Sequence, residues 1–161
     1  MNYLFFSGAS NIAKTHDLNA LQTELLNNGF STIIENRLPN RDFIAVLENN
    51  KGKKVLINSS SDNLTSLNQL RDFITNNCVN KFLIDTVISS LREDTESIRQ
   101  DFLDYFSQHS YFLNSYKNRV VDIPMGRPRT GSVRLASCLF LTETTINLTI
   151  HILSLPPFLL I

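Results

Sequence analysis

The fold of this chain is decided by residues 30–58, which read FSTIIENRLPNRDFIAVLENNKGKKVLIN. Three runs rich in Ile, Val, Phe and Thr alternate here with turn-forming residues, which is typical of strands joined by short connections. The predicted strands are Phe30–Leu38, Asp42–Glu48 and Lys53–Asn58. Pro39-Asn40-Arg41 and Asn49-Asn50-Lys51-Gly52 separate them. Connections this short predict a three-stranded antiparallel meander.

Helix and strand patterns flank the meander on both sides. Tyr3–Phe6 is an apolar run near the start, and Lys81–Ile88 has the composition of a further strand. Each gap between these strands and the meander contains leucines at helical spacing. The candidate N-caps are Thr15 or Asp17 for the helix before the meander and Ser61 or Asp62 for the helix after it. The order of elements therefore predicts an αβββαβ core flanked by helices.

A long amphipathic helix is predicted from Asp94 to about Tyr116. Its aromatic stripe, Phe102–Phe112, indicates either core packing or a contact with a partner. The acidic residues in its first turn suit the helix dipole. We expect residues 1–116 to form a single domain of the α+β or α/β class that ends with this helix.

Residues 117–161 have a different composition. Pro124, Gly126, Pro128 and Gly131 interrupt any regular element and predict a basic loop followed by an apolar tail. Polar and apolar residues alternate from Thr145 onward, which favours a half-buried strand over a membrane helix. We therefore expect no membrane anchor. If this tail carries no designed structure, a chain ending near Arg119 would be at least as stable as the whole.

The composition indicates a cytoplasmic protein of one domain. The chain has 161 residues, a formal net charge of zero and two cysteines. A neutral chain creates no global field that attracts nucleic acid or a membrane surface. Cys78 and Cys138 follow no metal-ligand or redox spacing, and the first residues lack the features of a signal peptide. The sequence also lacks a Walker-type phosphate loop, so we expect no cofactor.

The order helix, strand, strand, strand, helix, strand resembles the core of the PD-(D/E)xK nuclease superfamily. In that family the first acidic residue lies at the start of the second strand, a position that Asp42 matches as the metal-binding acid. Glu24 on the preceding helix matches the accessory acid that some members have. The second carboxylate and the lysine of the signature correspond to Asn58 and Ser60, which cannot supply an anionic Mg²⁺ ligand and an ammonium group.

Three interpretations of that missing signature stay open: the chemistry is lost, it has moved to Glu48 or Lys54, or only the element order is shared. The catalytic candidates are therefore Asp42, Glu24, Glu48 and Lys54, and Mg²⁺ is implied only if the nuclease interpretation holds. The leading hypothesis is a degenerate, non-catalytic nuclease-like module associated with DNA or RNA. Its predicted phosphate contacts are Lys51, Lys53, Lys54 and Arg71.

The alternative hypothesis is a small protein-binding module without enzymatic activity. The same succession of elements resembles small effector chaperones of bacterial secretion systems, which bind an extended partner chain over apolar grooves. In that case the Phe102–Phe112 face of the long helix would hold a partner or a second copy of the chain. Binding to phosphates should fall steeply with salt, whereas a largely apolar protein contact should not.

Overall fold

A computed structural model describes residues 1–8, 14–60, 63–78, 83–91, 96–108, 119–125 and 132–161. The strands are β1 (Asn2–Ser7), β2 (Ser31–Arg37), β3 (Phe43–Glu48), β4 (Lys54–Asn58), β5 (Thr86–Leu91) and β6 (Arg119–Pro124). The helices are α1 (Lys14–Asn27), α2 (Leu64–Phe73), α3 (Glu96–Gln108) and α4 (Ser132–Ser154). A 3₁₀ turn, Pro39–Arg41, joins β2 to β3, and a π-helical turn, Ile74–Cys78, continues α2. The predicted mixed α/β class is confirmed.

All six strands belong to one mixed sheet with the order β2-β3-β4-β5-β1-β6. Short turns join β2, β3 and β4, which pair antiparallel. The pairs β4–β5, β5–β1 and β1–β6 are parallel, because each connection that returns to these strands crosses over the sheet. The sheet therefore has an antiparallel half that ends at β2 and a parallel half that ends at β6.

Helices cover both faces of the sheet, and each face has its own apolar cluster. On one face, Leu67 and Leu70 of α2 pack with Phe102 and Phe106 of α3 against the sheet. On the other face, α1 and α4 pack against the alternate side chains of the same strands. The result is three layers, helix on sheet on helix, in which β1 and β5 are interior strands covered on both sides.

The two predicted helix starts differ from the observed ones. α1 begins at Lys14, so Thr15 and Asp17 lie inside its first turn instead of capping it. The cap of α2 is Asn63, whose side chain accepts a 2.9 Å hydrogen bond from the amide of Ser66. Ser61 and Asp62, the predicted caps, lie outside the described residues.

The predicted strand Lys81–Ile88 was placed several residues too early, because β5 is Thr86–Leu91. Residues 81 and 82 lie outside the described part of the chain. The long helix predicted from Asp94 to Tyr116 is observed as Glu96–Gln108, and residues 109–118 are not described.

The aromatic face of α3, for which the sequence left core packing and a partner contact open, is part of the core. Phe102, Tyr105 and Phe106 are buried, with exposures of 0%, 9% and 1%. Their rings contact one another and the rings of β1, including an edge-on contact of 5.6 Å between the centroids of Phe5 and Phe102. These described aromatic residues therefore pack inside the domain, and a partner or homodimer contact through the Phe102–Phe112 face stays a prediction; Phe112 lies outside the described residues.

The largest correction concerns the segment after residue 116. The predicted loop contains the edge strand β6, and the predicted strand from Thr145 lies within α4. The alternation was misleading because Thr142, Ile146, Thr149 and Leu153, which recur every three or four residues, are the buried positions. Thr149 is tolerated in this buried row because its hydroxyl donates a 2.7 Å hydrogen bond to the carbonyl of Thr145. Among the described helices, none is long and apolar enough to cross a membrane.

Candidate functional site at the carboxyl edge of the sheet

Polar residues lie at or next to the carboxyl ends of three of the parallel strands. β1 ends in Ser7, β4 ends in Asn58, and β5 contains Ser89-Ser90 just before its last residue. After β1 the chain continues into α1 on one face of the sheet, whereas after β5 it continues into α3 on the other face. Neighbouring strands whose connections diverge in this way leave a crevice at their carboxyl ends, where ligands of open α/β sheets bind. We call the side of the sheet at which the parallel strands end the carboxyl edge.

Lys14 joins the neighbouring strands β1 and β5 at the carboxyl edge. Its side chain is only 5% exposed. The ammonium group donates hydrogen bonds to the carbonyl of Gly8, at 2.9 Å, and to the carbonyl of Leu91, at 3.2 Å. Gly8 directly follows β1, and Leu91 is the last residue of β5. Lys14 therefore connects the carboxyl ends of the two strands after which the chain crosses to opposite faces of the sheet.

A buried network of hydroxyl and amide groups extends from this point toward β4. Asn58 donates from its side-chain amide to the hydroxyl of Ser89, at 3.2 Å, and to the carbonyl of Ser60, at 3.0 Å. Ser90 donates to the carbonyl of Ser59, at 2.7 Å. Because these polar groups satisfy each other, the network fixes the ends of β4 and β5 without an unpaired buried charge.

Asp42 lies at the outer end of this network, immediately before β3. Its Oδ1 atom accepts hydrogen bonds from the hydroxyl of Thr15, at 2.7 Å, and from the hydroxyl of Ser59, at 3.2 Å. The Ser59 hydroxyl in turn accepts a 2.7 Å hydrogen bond from the amide of Phe43. The half-buried carboxylate is therefore fixed by α1 on one side and by the end of β4 on the other.

The predicted nuclease-like positions share this edge only in part. Asp42, Asn58 and Ser60 are close along the antiparallel pair β3–β4, in which Ile44 lies opposite Asn58. Glu24 does not join them. It lies about 13 Å further along α1 than Thr15, at the helical rise of about 1.5 Å per residue, and it hydrogen-bonds Asn28 at the end of the helix.

Glu48 and Lys54 lie at the opposite edge of the sheet. They are cross-strand neighbours and form an ion pair of 2.8 Å with each other. Glu48 ends β3, whereas Asp42 precedes its first residue, so the strand separates them by about 20 Å. The four catalytic candidates therefore do not form one centre.

The predicted phosphate contacts also lie away from Asp42. Lys51 is exposed in the turn between β3 and β4, and Lys53 after it forms a 3.0 Å ion pair with Asp85. Arg71, in the last turn of α2, stacks on the ring of Tyr105 at 5.3 Å. Lys54 pairs with Glu48, so Lys51 is, among these four described residues, the exposed cation without an ion pair or ring contact.

Two arginines beside Asp42 were not predicted as site residues. Arg41 directly precedes it and is exposed, with a positive φ of 67°. The Arg37 side chain is 55% exposed, forms an ion pair with Glu35, and stacks on the ring of Phe43 at 4.9 Å. The signal in the sequence was the position of these arginines at the two ends of the β2–β3 connection, because a short connection brings its two ends to the same side of the sheet.

A second polar group at the carboxyl edge was missed because its members are distant in sequence. Arg99 of α3 binds Asp122 of β6 through both terminal nitrogens, at 2.9 and 2.8 Å. Ser7 donates a 2.7 Å hydrogen bond to the same carboxylate. Partial burial opposes ionisation of Asp122, but the hydrogen bonds from Arg99 and Ser7 prevail and lower its pKa.

The residues that the structure describes contain no group of three or more His, Cys, Asp or Glu side chains able to hold a metal ion. No protein-family model, curated protein or solved structure matches the chain.

Proposed function

We propose that the protein is a nuclease-like module that binds nucleic acid at the carboxyl edge without cleaving it. The observation that carries this proposal is the position of Asp42, which precedes the middle strand of the meander and hydrogen-bonds Ser59 at the end of the next strand. The placement of α1 and α2 on opposite faces, with β5 parallel to β4, gives further support. An acidic residue at this point of an αβββαβ core is the feature on which the nuclease resemblance rests.

Binding without cleavage follows from the neighbours of Asp42. Asn58 and Ser60 occupy the positions at which the resemblance implies a second carboxylate and a lysine. An amide and a hydroxyl give Mg²⁺ no anionic oxygen and offer no ammonium group to the attacked phosphate. We therefore propose that no hydrolytic chemistry takes place at Asp42.

Arg37 and Arg41 are the phosphate contacts that this proposal requires. Both are exposed at the β2–β3 connection, and a guanidinium group can bind two phosphate oxygens at once. The competing surface is the β3–β4 turn, where Lys51 is exposed at the other end of the meander. A nucleic acid that uses the carboxyl edge would depend on Arg41 and not on Lys51.

The proposal is tested by fluorescence anisotropy of labelled single- and double-stranded DNA at two salt concentrations, followed by gel analysis of the products with Mg²⁺ present. We expect salt-sensitive binding, intact DNA, and weaker binding by Arg41→Glu than by the matched Lys51→Glu variant. Cleavage would contradict the non-catalytic assignment. Weakening by Lys51→Glu alone would move the contact to the opposite edge. Absence of binding at low salt would sink the proposal.

A second candidate function is binding of an extended protein segment along β2. This strand ends the sheet, pairs only with β3 among the described strands, and has exposed residues at both ends. An edge strand of this kind can accept a further strand from a partner. In contrast to DNA binding, such a contact should persist at high salt and should be lost when Ile33 is replaced by proline, which would also disturb the β2 backbone.

A further inference from the structure

A pocket of about 440 Å³ lies against the first two turns of α3, and its described lining residues are Ser97, Arg99, Gln100 and Leu103. A volume of several hundred Å³ is typical of sites for small molecules. This pocket is separate from Asp42. Asp42 directly precedes β3, and Asp122, the partner of Arg99, belongs to β6. The sheet order puts about 19 Å between those strands at about 4.8 Å per strand.

The arginine of this pocket is held in place from two directions. Asp122 binds both terminal nitrogens of Arg99, and the guanidinium lies over the ring of Phe5 at 5.2 Å from its centroid. The Arg99 side chain nevertheless remains 34% exposed. A guanidinium that is oriented before a ligand arrives loses little conformational freedom when it binds one.

The chemistry of the lining selects the ligand. Arg99 uses one N–H of each terminal nitrogen for Asp122, so its other N–H groups can donate to an acidic group. Ser97 adds an exposed hydroxyl, and Leu103 adds an apolar surface that is only partly buried. The amide nitrogen of Gln100 is directed to Asp104, at 2.7 Å, so Gln100 is not required as a donor.

We propose that this pocket binds a small molecule that carries a carboxylate or phosphate group next to an apolar portion. Arg99 and Ser97 hold the acidic group, and Leu103 contacts the apolar portion. Asp122 is a positioning residue that orients Arg99, and Ser7 orients Asp122 in turn. This site is independent of the proposed nucleic-acid contact, because neither Arg41 nor Asp42 contributes to it.

The test is a nuclear magnetic resonance titration of the full chain with phenyl phosphate, benzoate and benzyl alcohol. The two acids carry the charged group, whereas benzyl alcohol presents the same ring without it. We expect saturable shifts of the amides of Ser97, Arg99 and Gln100 with both acids and no saturation with benzyl alcohol. Equal responses to all three compounds, or acid-induced shifts that avoid this pocket, would overturn the proposal.

Arg99→Gln should weaken the binding of both acids by about tenfold or more, the ratio expected when a charge-assisted hydrogen bond is lost. The matched control is Arg71→Gln, because Arg71 also stacks on an aromatic ring, that of Tyr105, but belongs neither to the described pocket lining nor to the proposed nucleic-acid contact. Equal weakening by both variants would overturn the proposal. If Arg99→Gln does not fold, Arg99→Lys keeps the charge and removes the fork, and unchanged affinity in that variant would overturn it.

Discussion

Thr142 of α4 donates a 2.5 Å hydrogen bond to the carboxylate of Asp17 in the first turn of α1. Both residues are buried, with exposures of 9% and 2%, and 125 positions separate them in the sequence. This hydrogen bond connects α4 to α1, on the face of the sheet that α1 covers. α4 is therefore part of the fold, in contrast to the tail predicted from its composition.

We predict that Thr142→Val lowers the free energy of unfolding by about 1–3 kcal/mol, the cost of leaving a buried acceptor without its partner. Valine keeps the shape of threonine and removes only the hydroxyl. The Thr142→Ser variant keeps the hydroxyl and should lose less stability. Urea unfolding of the three proteins checks this, and a larger loss in Thr142→Ser than in Thr142→Val would show that the methyl group, not the hydrogen bond, matters.

Asp17 should give the protein a distinctive dependence of stability on pH. Burial raises its pKa above the ordinary value of 3.8, although hydrogen bonds from Thr142 and His16 act against this. A carboxyl group whose folded-state pKa is raised stabilises the fold below the unfolded-state pKa and loses that contribution as pH rises through the folded-state value. The stability of Asp17→Asn relative to the unmodified protein should therefore increase as pH rises above about 4.

The measurement is urea unfolding of both proteins between about pH 3 and pH 7, the range that brackets an ordinary carboxyl titration and a raised one. Glu24→Gln, a change at the exposed end of the same helix, serves as the control and should show no comparable trend. A constant difference between Asp17→Asn and the unmodified protein would contradict the raised pKa.

Asp42 should behave as a hydrogen-bond acceptor and not as a metal ligand in nucleic-acid binding. We predict that Asp42→Asn binds DNA as tightly as the unmodified protein or more tightly, by at most about 1 kcal/mol, because a surface charge near the phosphates is removed. Mg²⁺ should not strengthen the binding of either protein. Asp72→Asn, an exposed change on α2, is the control. A loss of Mg²⁺-dependent binding in Asp42→Asn alone would identify Asp42 as a metal ligand.

Leu153 tests how much α4 contributes to the core. Its side chain is fully buried, whereas Leu148 on the same helix is 48% exposed. Leu153→Ala should cost about 2–5 kcal/mol, the range for a leucine truncated in a packed core, and Leu148→Ala should change stability by no more than about 0.5 kcal/mol. Thermal and urea unfolding provide the comparison. Similar small losses in both variants would support the earlier hypothesis that a chain ending near Arg119 is as stable as the whole.

The surroundings of Asp42 illustrate how much of the site the sequence predicts. Asp42 could be singled out because a short turn before a strand fixes where that residue lies in the local structure. The hydrogen bond between Asp42 and Thr15 could not be predicted from the sequence, and neither could the ion pair between Arg99 and Asp122. Those contacts depend on which strands are neighbours in the sheet, and the order β5-β1-β6 brings together segments that no local periodicity connects.

By itself, the sequence determined the mixed α/β class, the strands around residues 30–58 and the apolar face of α1, because each depends on propensities and spacings within a few turns of chain. Only the tertiary structure decided the place of β6, the helical state of α4 and the position of Lys14 between two strand ends. In α4 the alternating residues fit a strand and a helix equally well locally. Burial of Ile146 and Leu153 against the sheet selects the helix, because only that conformation puts both side chains on the same face.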